Sequence, residues 1–254
     1  MRRFLILICV LSLASAAQAE SLSQPYGGET VLSALDLSAE QRALADFLYA
    51  PVFRHEERIL LPKGTAYADV SAAMHCLTQD YPELFHLGLD YTVGYYRDTP
   101  EQAAWVEPTY RLTAEDAAAL RAELYLRAYL LAAEDPDLLS LHDALCRRAV
   151  YGGADEMRHT APGALLTGEA QCEGYAQAMT LLCRMAGIPC GVVTGTARTS
   201  DGRTEPHAWN IALQDGETVY LDVTWDDQDA QGIIGHWYFA LTAEEIAEDH
   251  FISD

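Results

Sequence analysis

Basic side chains are scarce in this chain of 254 residues: 16 Lys and Arg stand against 38 Asp and Glu, a formal net charge of -22. A surface of that sign repels phosphate backbones and anionic membranes, which argues against nucleic acid as a partner. Beyond the N-terminal segment no stretch approaches the roughly twenty uninterrupted apolar residues of a membrane span. Internal repeats and low-complexity tracts are also missing. No histidine pair has the helical spacing of a zinc site and the cysteines do not form a zinc knuckle, so neither metal nor other cofactor is expected.

What is present starts at the N-terminus. Arg2 and Arg3 precede the apolar run Phe4 to Leu13, and Ala17-Gln18-Ala19 supplies a small-x-small cleavage site. This is the layout of a secretory signal peptide, residues 1–19, and it predicts a secreted or extracytoplasmic protein with no integral membrane segment after cleavage. The remaining ~235 residues suffice for one well-buried core, or one core with a small helical appendage. Of six cysteines, Cys9 leaves with the leader, and Cys76, Cys146, Cys172, Cys183 and Cys190 stay. An odd number outside the cell leaves at least one thiol unpaired. If that thiol is Cys172, the other four either pair in one of three ways or are reduced core residues.

The first half reads as helices and a hairpin. Ser38 caps a helix over 37–50, a second helix follows Asp69 and ends at Pro82, and 89–97 and 104–113 are strand-like. Thr113 caps a long helix broken at Pro136, and another is predicted over 138–152. After a Gly-rich link at 152–168, a helix runs from Cys172 to Gly187 and is stopped by Ile188-Pro189. Strands are predicted at 190–198, 207–214, 217–225 and 236–241, the second and third joined by the hairpin signal Asp215-Gly216, before a short acidic helix at 242–249. Helices followed by antiparallel strands predict an α+β fold, with an N-terminal helical and hairpin region (20–137) before a core (138–254).

Cys172 stands at a helix N-terminus, where partial positive charge and unpaired N–H groups favour thiolate over thiol. A thiol acting on an amide needs a proton acceptor and a group that fixes the acceptor's tautomer. Counting back from the 215–216 turn pairs Gln214 with Glu217 and places Asp222 opposite Trp209. His207 and Asp222 then share a face as diagonal neighbours. This nominates Cys172, His207 and Asp222 as nucleophile, base and orienter. Gln171 either donates an amide N–H to a developing oxyanion or points outward. Trp209 and Trp225 either wall a substrate groove or belong to the core, and Asp226 and Asp227 would replace Asp222 as orienter if the register slipped but read better as turn residues. His55, His75, His159, His236 and His250 all have packing or surface readings.

The blocks "AQCEGYAQAMTLLCRMAGIPCGVVTG", "HAWNIAL" and "YLDVTWDD" resemble the three motif blocks of the transglutaminase-like superfamily over roughly residues 140–240. The resemblance implies a papain-like core, with the Cys-bearing helix packed on an antiparallel sheet, and a Cys172, His207, Asp222 triad. It further implies a protein or peptide substrate whose amide is exchanged or hydrolysed through a thioester. Animal crosslinking members carry tryptophan after the nucleophile, where this chain has Glu173, and it has no room for their calcium-binding insertions and flanking β-domains. Calcium-dependent crosslinking is therefore disfavoured and hydrolysis favoured. The alternative is a catalytically silent binding or scaffold protein that keeps the fold at the cell surface.

Overall fold

A computed structural model describes residues 32–228 and 233–252, so the expected leader lies outside the described residues. Ser38 starts the first helix, α1 (Ala39–Phe53), by a capping box with Gln41: the Ser38 side chain accepts the Gln41 N–H, and the Gln41 side chain accepts the Ser38 N–H. Strand β1 (Ile59–Leu60), helix α2 (Tyr67–Asp80) and the hairpin of β2 (Leu87–Tyr95) with β3 (Ala103–Tyr110) follow. Their antiparallel sheet has the order β1-β3-β2. Leu48, Val52, Val70, Leu77 and Val106 form a buried cluster between this sheet and the two helices.

The second half is built around one helix. Thr113 caps α3 (Ala114–Glu134) and Asp137 caps α4 (Leu138–Arg148), each through a side-chain oxygen. The α4 helix stops four residues short of expectation, because Val150 and Tyr151 (β4) pair in parallel with Glu169 and Ala170 (β5). Helix α5 (Cys172–Ala186) follows directly. Gly187 ends it at φ 76°, and the Ile188 N–H returns to the Cys183 carbonyl. Strands β6 (Cys190–Arg198), β7 (Thr204–Gln214), β8 (Glu217–Leu221) and β11 (His250–Ile252) form an antiparallel sheet of order β11-β6-β7-β8. Leu124 of α3, Leu141 and Leu145 of α4, Met179 and Leu182 of α5, and Leu221 of β8 share one core. Each such burial is worth about 1.5–3 kcal/mol. The fold is α+β, with α5 packed against an antiparallel sheet.

Three further expected elements differ. The strand over 217–225 ends at Leu221, because the Asp222 carboxylate caps a helical turn, α6 (Val223–Asp226), by accepting the Thr224 and Trp225 N–H groups. Residues 236–241 form turns and one isolated bridge, Tyr220 to Leu241, instead of a strand. The Asp226 carboxylate takes the N–H groups of Trp237 and Tyr238, so those donors are spent on a side chain. The acidic helix contracts to α7 (Ala243–Ile246), and β11 was not foreseen. Short strands β9 (Asp227–Gln228) and β10 (Ile233–Ile234) pair after α6. Cys76, Cys146, Cys172, Cys183 and Cys190 are all free. No helix among the described residues is long and apolar enough to cross a membrane.

Candidate active site

Cys172 is the first residue of α5, half-buried, with Ala176, Val192 and Ala208 packed around it. No side chain caps this helix: Gln171, the N-cap residue, makes no capping hydrogen bond. The first-turn N–H groups therefore have no side-chain acceptor from the cap. At Gly174 a Cβ would fall 2.4 Å from the Arg158 carbonyl oxygen, so only glycine allows the approach segment to lie against the start of α5.

The hairpin holds its expected register. Asp215 (φ 54°) and Gly216 (φ 84°) make the turn, Gln214 pairs with Glu217, and the ladder runs to Asn210 opposite Leu221. Asp222 then leaves the ladder and its N–H goes to the Tyr238 carbonyl. Its carboxylate still reaches back to His207, with Nε2 2.7 Å from Oδ2. Asp222 is fully enclosed, and its other oxygen accepts the Thr224 and Trp225 N–H groups at 3.0 and 3.3 Å.

Burial works against a charged His207, yet hydrogen bonds to Asp222 and to Cys172, and the negative charge of both partners, push its imidazole up to about 10. Burial likewise opposes the Asp222 carboxylate, but the hydrogen bonds from His207 and His250 bring it down to about 2. With Nε2 committed to Asp222, the Nδ1 side of the ring is left for the thiol. His207 thus stands between Asp222, to which it is hydrogen-bonded, and Cys172, whose sulfur helps to raise it.

Two neighbours escaped the sequence reading. His250, fully buried on β11, places Nε2 3.2 Å from the same Asp222 oxygen and Nδ1 2.6 Å from Asp249. Tyr151, expected inside a helix, stands on β4, and its phenol is raised by burial and by the negative charges of Cys172, Glu205 and Asp222. The aromatics divide. Trp209 is 1% exposed and lies edge-on to His250 at 4.9 Å, so it is core and no groove wall. Trp225 is half-buried, with its ring 5.2 Å from that of His207. His207, Asp222 and His250 have ligand atoms close enough for a metal, but all three are buried and committed to each other. A cavity of about 650 Å³ opens beside the site, lined by Glu173, Gln177, Val192 and Thr194 from the core and by Gln79 and Arg111 from the N-terminal half.

Residues 133–229 match the model of the transglutaminase-like superfamily. Over 102 residues the chain is 29% identical to the human kyphoscoliosis peptidase, and over 106 residues 28% identical to the mouse protein; each match covers 34% of this chain. The chain spans only 15% of the length of those relatives. The periplasmic domain of TgpA from Pseudomonas aeruginosa superposes with a TM-score of 0.34 at 18% identity, over 53% of this chain and 60% of that one.

Proposed function

We propose that this chain, whose residues 133–229 match the transglutaminase-like superfamily, is an exported thiol enzyme that opens amide bonds of proteins or peptides through a thioester on Cys172, with water favoured over an amine as the second acceptor. The observation that carries this reading is the His207–Asp222 hydrogen bond, with the raised His207 imidazole beside Cys172 at the uncapped start of α5.

In the proposed cycle the Cys172 sulfur, opposite a protonated His207, attacks the amide carbonyl carbon. The oxyanion is held by N–H groups at the α5 N-terminus, including that of Cys172, with the Gln171 side chain as a further donor. The C–N bond breaks as His207 gives its proton to the departing amine, and a thioester remains. Acylation removes the sulfur's negative charge, one of the contributions that raise His207. The imidazole thereby stays unprotonated and available as general base for the step in which water attacks the thioester, loses its proton to His207 and releases a carboxylate. Asp222 holds the ring in place throughout. The half-buried Trp225 ring shields the imidazole, and the cavity beside Glu173 and Val192 is where the substrate chain lies.

An activated ester tests the thiol chemistry without knowledge of the substrate. A p-nitrophenyl ester should give a burst of p-nitrophenol and an acyl mass on Cys172, both lost in Cys172→Ala. A burst that survives this substitution would overturn the reading. Glutamine peptides with and without a primary amine then separate hydrolysis from transfer. If no turnover occurs and Cys172→Ala still captures the wild-type partner, the chain is a binding module.

A further inference from the structure

Away from the thiol, three ligand-type side chains converge where α4 meets the chain that follows β10. We propose that His142, Asp143 and His236 bind one divalent transition-metal ion of the zinc class, which clasps α4 to the turn around residue 236. Asp143 Oδ1 lies 3.2 Å from His142 Nδ1 and 2.7 Å from His236 Nε2. All three ligand atoms fall within 4.8 Å of one another. Ligand bonds of about 2.0–2.2 Å are reached from there by small side-chain adjustments. Two imidazole nitrogens and one carboxylate oxygen, with His236 exposed at the rim, are the donor set of a borderline ion with an open coordination position. Calcium and magnesium want more oxygen ligands than this site has.

The surroundings support the same assignment. His142 is fully buried, and its other nitrogen, Nε2, sits 3.3 Å from Asp226 Oδ2, a contact not aligned as a hydrogen bond. A neutral imidazole has one proton for these two carboxylates. A cation on Nδ1 removes the clash of lone pairs with Asp143 and leaves the proton on Nε2, facing Asp226. Such carboxylate backing orients metal-binding histidines generally. Arg147 holds Asp143 Oδ2 at 3.0 Å, leaving Oδ1 as the ligand. Phe239 lies edge-on to both imidazoles, at 5.3 and 6.2 Å, and closes the apolar side. Sequence spacing hides this set, because two ligands are adjacent and the third is 93 residues away. The clasp bears on the active site through α6, which begins after Asp222 and ends at Asp226.

Metal-stripped full-length protein should be titrated with Zn²⁺ by calorimetry and with Co²⁺ by absorption, beside His236→Ala and Asp143→Asn. His236 has an exposed side chain, so its replacement leaves the core intact. The expected result is one ion per chain, cobalt ligand-field bands without thiolate charge transfer, and affinity reduced at least ~10-fold in each variant. At about a hundredfold excess over Kd, zinc should raise the wild-type Tm by about 5–10 °C and leave His236→Ala unmoved. Failure of stoichiometric uptake would overturn the proposal, as would uptake unchanged in His236→Ala. So would thiolate charge-transfer bands, which put the ion on a cysteine. None of these results bears on the Cys172 acylation burst.

Discussion

At Asp222 two histidines meet one carboxylate oxygen: His207 at 2.7 Å and His250 at 3.2 Å. Two positively polarised rings and two backbone N–H groups leave this buried anion fully satisfied, and the same contacts stabilise a charged His207. The consequence for stability follows from linkage. His207 is raised from 6.5 to about 10, so its contribution is complete below pH 6.5 and fades as pH rises through 10. Asp222 is lowered from 3.8 to about 2, so its contribution is complete above pH 3.8 and fades as pH falls through 2. Urea unfolding of wild type and His207→Gln across pH 6–11 should therefore show a stability difference that shrinks between pH 6.5 and 10. A difference independent of pH would contradict the ion pair.

At the scale of elements, Asn210 joins α5 to the sheet. Its buried amide nitrogen lies 2.9 Å from the Ala176 carbonyl, 3.0 Å from Thr180 Oγ1 and 3.1 Å from the Gly191 carbonyl. Asn210→Leu keeps the branched shape and removes the donor, so it should cost about 2 kcal/mol in urea unfolding, without changing which cysteine reacts. The α5 helix and the β7–β8 hairpin were legible in the sequence because their signals are local. Gly187 and Pro189 end the helix, and Asp215-Gly216 sets the register that brings His207 near Asp222. What stayed hidden depends on distant partners. The over-long α4 prediction ignored a two-residue parallel pairing with Glu169 and Ala170. The aromatic run after His236 looks like a strand until the Asp226 carboxylate claims its N–H groups. His250 reaches Asp222 only because three residues of β11 pair with β6, where it stands opposite Ala197.

At the scale of the molecule, the N-terminal half is fastened to the core beside the nucleophile. The Gln79 side chain donates to the Val192 carbonyl and accepts from Thr194, and Gln177 donates to the Thr78 carbonyl. Deeper in, the Arg184 guanidinium donates to the Asp80 carbonyl and pairs with the enclosed Glu83 carboxylate at 3.4 Å. Such a buried pair specifies the joint more than it adds net stability, since desolvation offsets much of the attraction. Folding also sorts the thiols: Cys76, Cys146, Cys183 and Cys190 are buried, and burial pushes the Cys76 thiol up to about 12, while Cys172 stays half-exposed next to His207. The account's central claim is therefore tested by alkylating the native protein with iodoacetamide at pH 6, where an unassisted thiol of pKa about 8.5 is almost wholly protonated. Peptide mass spectrometry should find the label on Cys172 alone, at a rate that falls at least ~10-fold in His207→Ala. A Cys172 no faster than a free thiol at that pH, or one indifferent to the loss of the imidazole, would contradict it.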